Sequence, residues 1–150
     1  MLKKILIGLV IVFVIIQLIP AGLPEVSEEN PNDFLVNNDV PADIENILRS
    51  SCYDCHSNET RYPWYSYVAP SKFLIARDTR NGRRHLNLSD WKTFEKSDMA
   101  EAYYEMAEEV EDGEMPMKIY PVIHKDARLS DEQRAAFAAW AEAAAEKLYE

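Results

Sequence analysis

The chain has 150 residues and a formal net charge of −10 at neutral pH, with 26 acidic side chains against 16 basic ones. That acidity repels nucleic acid and suits partners with a cationic docking surface, while 47% hydrophobic content is ample for a packed core and excludes general disorder. The length allows one domain plus an accessory segment, and two cysteines three residues apart rule out a multi-disulfide scaffold.

Met1-Leu2-Lys3-Lys4 is a short basic lead, followed by Ile5 to Ile19, apolar except for Gly8 and Gln17, with Pro20 to Leu23 beyond. The 19 residues from Ile5 to Leu23 just reach the ~20 needed to span a membrane. A cleaved export signal is the rival reading, but Ile19-Pro20-Ala21 fits the small-residue cleavage pattern poorly. Residues 1–24 therefore read as an N-terminal transmembrane anchor or signal segment. Either way the lysines stay in the cytoplasm and the acidic part is exported, and the favoured uncleaved anchor makes a single-pass inner-membrane protein with its domain on the periplasmic side. Residues 25–39, rich in Glu, Asn, Asp and Pro, read as an acidic tether. Residues 40–150 are expected to form the domain.

Pro41 opens a short helix with Ile44, Ile47 and Leu48 on one face, leading into Ser51. Cys52-Tyr53-Asp54-Cys55-His56 follows, then an aromatic, proline-punctuated stretch from Tyr62 to Pro70. A helix from Ser71 to Arg80 is expected to stop near Asn81-Gly82. Ser89 is expected to cap a turn through Trp91 and Phe94, and Ser97 a helix carrying Met99, Ala102, Tyr103, Met106 and Val110 on one face. Gly113 ends that helix. The loop Glu114-Met115-Pro116-Met117 and a link through Tyr120-Pro121 lead to Ser130, which forms a capping box with Gln133. Phe137, Trp140, Ala141, Ala144 and Leu148 then line a final helix. No useful strand alternation occurs, so the domain reads as all-α.

Cys-x-x-Cys-His is the attachment sequence of c-type haem. Two thiols about one helical turn apart can reach both vinyl groups of a porphyrin, and the adjacent histidine presents its imidazole to the iron. Cys52 and Cys55 are thus candidate thioether sites and His56 the candidate proximal ligand. A structural zinc module using Cys52, Cys55, His85 and His124 is an alternative, weakened by the 30 residues between Cys55 and His85. A thioredoxin-like redox pair would need a βαβ context, and a Cys-x-x-Cys disulfide closes a very short loop.

The run Cys52 to Thr60, with Tyr62-Pro63-Trp64-Tyr65 after it, resembles the bacterial haem-binding domain family of c-type cytochromes. The likeness continues through Gly82, His85 to Trp91, Gly113-Glu114-Met115-Pro116, Tyr120, His124, Ala127, Leu129-Ser130 and Trp140, covering roughly Val40 to Leu148. The resemblance implies a small cytochrome c-like fold, one covalently bound haem c and electron transfer with redox partner proteins. It names no donor or acceptor.

For the sixth iron ligand, Met99 and Met106 fall on an apolar helical stripe, where methionine commonly fills core. Met115 lies between a glycine that permits a sharp turn and a proline that keeps it extended, which favours it as the distal ligand. Gly-x-Met-Pro also resembles the distal-methionine loop of many cytochromes c. Met117, His85 and His124 remain open alternatives. Arg77, Arg80 and Arg84 share one helical face that could hold haem propionates or simply meet solvent. Trp64, Tyr65 and Tyr67 could pack on the porphyrin, and a carbonyl near Pro63 is expected to hold His56 Nδ1. No acid–base constellation beside the motif points to catalysis. The chain therefore reads as a single-electron carrier and not an enzyme, with a haem peroxidase or a gas or redox sensor having an open distal site as the alternative.

Overall fold

A computed structural model describes all 150 residues. The chain is all-α, without strands: α1 is Leu2–Gln17, α2 Phe34–Asn37, α3 Ala42–Ser51, α4 Tyr53–His56, α5 Ser71–His85, α6 Lys96–Glu111, α7 Tyr120–Ile123 and α8 Asp131–Lys147. Short 3-10 turns at Trp64–Tyr67, Leu88–Thr93 and Lys125–Ala127 join them.

No residue of α1 is buried, and no helix of the chain is long and apolar enough to cross a membrane. The 16 residues of α1 rise about 24 Å, short of a ~30 Å hydrocarbon layer. The expected span from Ile5 to Leu23 fails at its C-terminal end. Pro20 disfavours helix in the residue before it, and Gln17 is captured by the domain. The Ala69 N–H donates to Gln17 Oε1 at 2.8 Å, and the buried Lys72 ammonium donates to the Gln17 carbonyl at 2.8 Å. A cation at the last carbonyls of a helix offsets their partial negative charge.

Residues 25–39 are not slack chain. The Ser27 N–H donates to Asn58 O at 2.8 Å. Asp33 caps α2 by accepting from the Leu35 N–H at 2.9 Å. Its carboxylate also accepts from the Tyr53 and Ser89 hydroxyls at 2.8 and 3.2 Å. Phe34 is completely buried, with its ring edge-on to Trp91, Tyr103 and Trp140 at centroid distances of 4.7, 5.8 and 6.1 Å. The acidic, proline-containing composition hid one buried aromatic anchor. Phe34→Ala is expected to lower unfolding free energy by about 3–5 kcal/mol, read from urea denaturation. Removing an aromatic from a mere tether would change nothing.

Ile44, Ile47 and Leu48 of α3 are buried as their spacing predicts. Helices α6 and α8 pack along each other. Ala102, Ala107, Ala138, Ala141 and Ala145, all buried, let the two backbones approach closely, and Tyr103, Val110 and Phe137 fill the layer between them and the rest of the core. Gly113 ends α6 at φ +75°, and Ser130 with Gln133 forms the capping box of α8. Two expected caps differ. Asn87, not Ser89, accepts from the Ser89 N–H at the Leu88–Thr93 turn, while Ser97 lies inside α6 behind Glu95.

Helix α5 does not stop at Gly82. It runs on to His85, and Gly82 is helical rather than left-handed. The glycine serves close approach instead. A Cβ placed there would stand 2.5 Å from the Cys55 carbonyl oxygen and 3.1 Å from Cys55 Cβ. This packing of α5 on α4 positions the site.

Candidate functional site

Cys52 ends α3, its N–H donating to Leu48 O at 2.9 Å, and the chain immediately winds the single turn α4. Within it the Cys55 and His56 N–H groups both donate to Cys52 O, at 3.1 and 2.9 Å. Ser57 Oγ donates to Tyr53 O at 2.8 Å and closes the turn. The Asn58 N–H donates to Ser89 Oγ at 2.9 Å, which fastens the exit of the turn to the Leu88–Thr93 segment. Cys52 and Cys55 are half-buried and unpaired. Burial pushes the Cys52 thiol up to about 12, with the neighbouring Cys55 adding to it. Cys55 is pushed up to about 11 by burial and by the nearby carboxylates of Asp54 and Asp78. Both are therefore neutral thiols at pH 7.

His56 Nδ1 lies 3.0 Å from the Leu86 carbonyl oxygen. A carbonyl can only accept, so Nδ1 carries the proton and the lone pair sits on Nε2. Burial lowers the His56 pKa below the ordinary histidine range, which keeps the ring neutral. The expectation of a carbonyl near Pro63 is thereby corrected. The acceptor comes from the residue just past α5, delivered by the same close approach that requires Gly82.

Cys52, Cys55 and His56 line one wall of a cavity of about 520 Å³, together with Gly82 and Leu86. Met106 and Val110 of α6, Met115 to Met117 and Phe137 supply the facing wall. The volume falls within the range of small-molecule and cofactor sites, and the surface it presents is mostly apolar, as a porphyrin needs, with Asp78, Glu105, Glu108 and Glu109 also on the lining. Met115 is held at both backbone ends: its N–H donates to Glu109 O at 2.9 Å, and its carbonyl accepts from Arg134 Nη1 at 2.9 Å. Met106, read from sequence as core filler, also reaches this cavity. His85 stands exposed at its rim, one residue before the carbonyl that holds His56.

Several expected roles fall elsewhere. Arg77, Arg80 and Arg84 do not line the cavity; they bond Asp78, Gly22 O and the Asn81 side chain. Asp78, Asn81, Gly82 and His85 form the α5 face that lines it. Trp64 and Tyr67 are exposed. His124 is not at the cavity of His56. Its Nε2 pairs with Tyr65 OH at 2.6 Å and its ring stacks on Tyr120 at 4.1 Å. Cys52, Cys55, His85 and His124 do not converge, and no group of three or more His, Cys, Asp or Glu side chains is placed to hold a metal ion. The zinc arrangement is thus not formed.

Sequence reading missed Asp54, which is buried inside the motif. It accepts from the Arg61 N–H at 3.0 Å, from Arg61 Nε at 3.2 Å and from Tyr120 OH at 2.7 Å. Those bonds tie the Cys-x-x-Cys turn to Arg61 and to Tyr120 at the start of α7. Burial and the Asp54 carboxylate both raise the Tyr120 pKa, so the phenol stays protonated as donor. An acid between the two cysteines is visible in the sequence, but its partners lie 7 and 66 positions away.

A family model described as haem-binding domain matches residues 11–143. The chain belongs to the haem-binding domain family. No curated protein and no solved structure matches it.

Proposed function

We propose that this haem-binding domain is an exported, membrane-held monohaem c-type cytochrome that carries single electrons. Cys52 and Cys55 attach the haem through thioethers, His56 is the proximal ligand and Met115 the distal one. The observation that carries the reading is the His56 Nδ1 to Leu86 O bond of 3.0 Å. It points a neutral Nε2 lone pair away from its anchor, beside two thiols that line the same cavity. Bound haem supplies a one-electron ferric/ferrous couple.

The protein's own residues orient the imidazole, shield one haem face with α6 and the Met115 loop, and hold the thiols in a short turn. Met115 is favoured over Met117 because both of its backbone polar groups are tied down. His85 is disfavoured because it precedes the carbonyl that anchors the proximal ring. With His56 and Met115 both bound, no coordination position would remain for a substrate, and on that ligation we prefer a carrier to a peroxidase or sensor. Thioether attachment belongs to exported compartments, and Lys3 and Lys4 in the first turn of α1, ahead of its apolar run from Ile5 to Ile16, support that topology. The membrane hold rests on α1 with Leu18 and Ile19 continuing its exposed apolar surface. The acidity of the chain suits a redox partner with a cationic face.

Expression with haem-maturation machinery, followed by a denaturing gel stained for haem, tests attachment: haem stays with the chain. The ferric protein is expected to show the weak far-red band of iron–sulfur ligation. Met115→Ala erases it and opens the iron to cyanide and carbon monoxide, while Met117→Ala leaves it. A band lost in Met117→Ala alone moves the ligand two residues. Absence of the band, with a high-spin spectrum in His85→Ala, makes the site bis-histidine.

A further inference from the structure

We propose that the corner formed by Trp64, Tyr67 and the α7 edge (Ile119, Val122 and Ile123) rests on the lipid headgroup layer, so that the domain lies on the bilayer in one fixed orientation. This rests on the reading of α1 as membrane-held and adds a second lipid contact to it.

The five side chains are between 58 and 76% exposed, an unusual concentration of bare apolar surface outside α1. One contact joins the two segments. Tyr65, next to Trp64, pairs through its hydroxyl with His124, which follows Ile123. Tyr65, Ile119 and Ile123 line the outer part of an apolar hollow of about 210 Å³ that reaches inward to Cys55 and Tyr120 of the site cavity. The patch is also adjacent to the end of α1. Ala69, two residues after Tyr67, exchanges two hydrogen bonds with the Gln17 side chain, at 2.8 and 3.4 Å, and Lys72 holds the Gln17 carbonyl. Wherever α1 enters lipid, this corner is therefore brought to the lipid surface.

The connection beyond α1 allows no retreat. Gly22, Pro24, Glu25 and Ser27 are each bonded to the domain, through Arg80, Tyr62, Arg83 and Asn58 respectively. Such a strap differs from a flexible linker, whose reach grows with its free length. The composition fits the position. Trp and Tyr concentrate at membrane interfaces, where an apolar ring body meets lipid and its polar edge stays wet.

The test uses the full-length holoprotein on mixed phosphatidylcholine and phosphatidylglycerol vesicles containing a lipid with a photoreactive diazirine at headgroup depth. Adducts are mapped by peptide mass spectrometry. The expected result is labelling of α1 and also of residues 62–68 and 119–123. In a Trp64→Ser, Tyr67→Ser variant the chain still sediments with vesicles through α1, but labelling at 119–123 falls sharply because the corner has lost the rings that seat it in the headgroup layer. Labelling of α1 alone in the parent protein overturns the proposal while leaving the anchor intact. Protection of these segments in lipid-free solution, without lipid adducts, identifies a second protein copy as the occupant and also overturns it. Failure to sediment with vesicles overturns the anchor reading, and this inference with it.

Discussion

His56→Ala removes the low-spin haem spectrum, and Cys52→Ala and Cys55→Ala each sharply reduce the amount of chain that retains haem on a denaturing gel. The three substitutions act on different links. On the proposed attachment, losing one thiol removes one of two covalent tethers but leaves the imidazole in place. Losing the imidazole leaves both thiols but takes away the only ring on the motif wall whose Nδ1 proton is committed to a backbone acceptor, Leu86 O. That commitment fixes which nitrogen is free and also aims the ring. The expected readouts therefore separate: the cysteine variants lose haem, and the histidine variant changes spin state in whatever haem stays attached. A wild-type spectrum in His56→Ala excludes the proximal assignment.

Gly82→Ala gives an effect opposite to what helix propensity alone expects. Alanine in a helix interior is favoured over glycine by roughly 0.5–1 kcal/mol, and Gly82 lies inside α5 with helical backbone. The new Cβ, however, meets the Cys55 carbonyl at 2.5 Å, and that carbonyl belongs to the backbone of the Cys-x-x-Cys turn. The atom it strikes is not the end of a flexible side chain, so α4 and α5 must separate. Overpacking of this kind costs about 1–3 kcal/mol, enough to outweigh the propensity gain. It also pulls Leu86 O from His56, because that carbonyl follows directly on α5. Thermal denaturation is expected to show a lower midpoint, and haem staining a reduced yield of holoprotein. A stabilised variant with undiminished haem would mean that the Gly82–Cys55 contact does not set the site geometry.

Much of the local structure was legible because it depends on neighbours in the chain. The buried stripe of α3, the Gly113 stop and the Ser130–Gln133 capping box each arise from residues within one or two helical turns. The Cys52, Cys55 and His56 spacing is legible for the same reason: one turn of helix dictates where the three side chains point. Residues decided by long-range packing were read differently. Phe34 sits in an acidic run with no periodicity, yet it joins Trp91, Tyr103 and Trp140 in the core. Gly82 reads as a helix stop until its distance to Cys55 is known. His124 reads as a hydrogen-bonding residue more than a ligand, but that its partner is Tyr65, 59 positions away, is known only from the fold. The acceptor for His56 had no side-chain signature at all, since every residue carries a carbonyl. The composition and short-range spacing of this chain determine an all-α domain with a Cys-x-x-Cys-His turn. Which backbone oxygen aims its histidine, and which methionines face it, depend on how α5, α6 and the Met115 loop close around that turn, because those contacts join residues 30 to 60 positions apart.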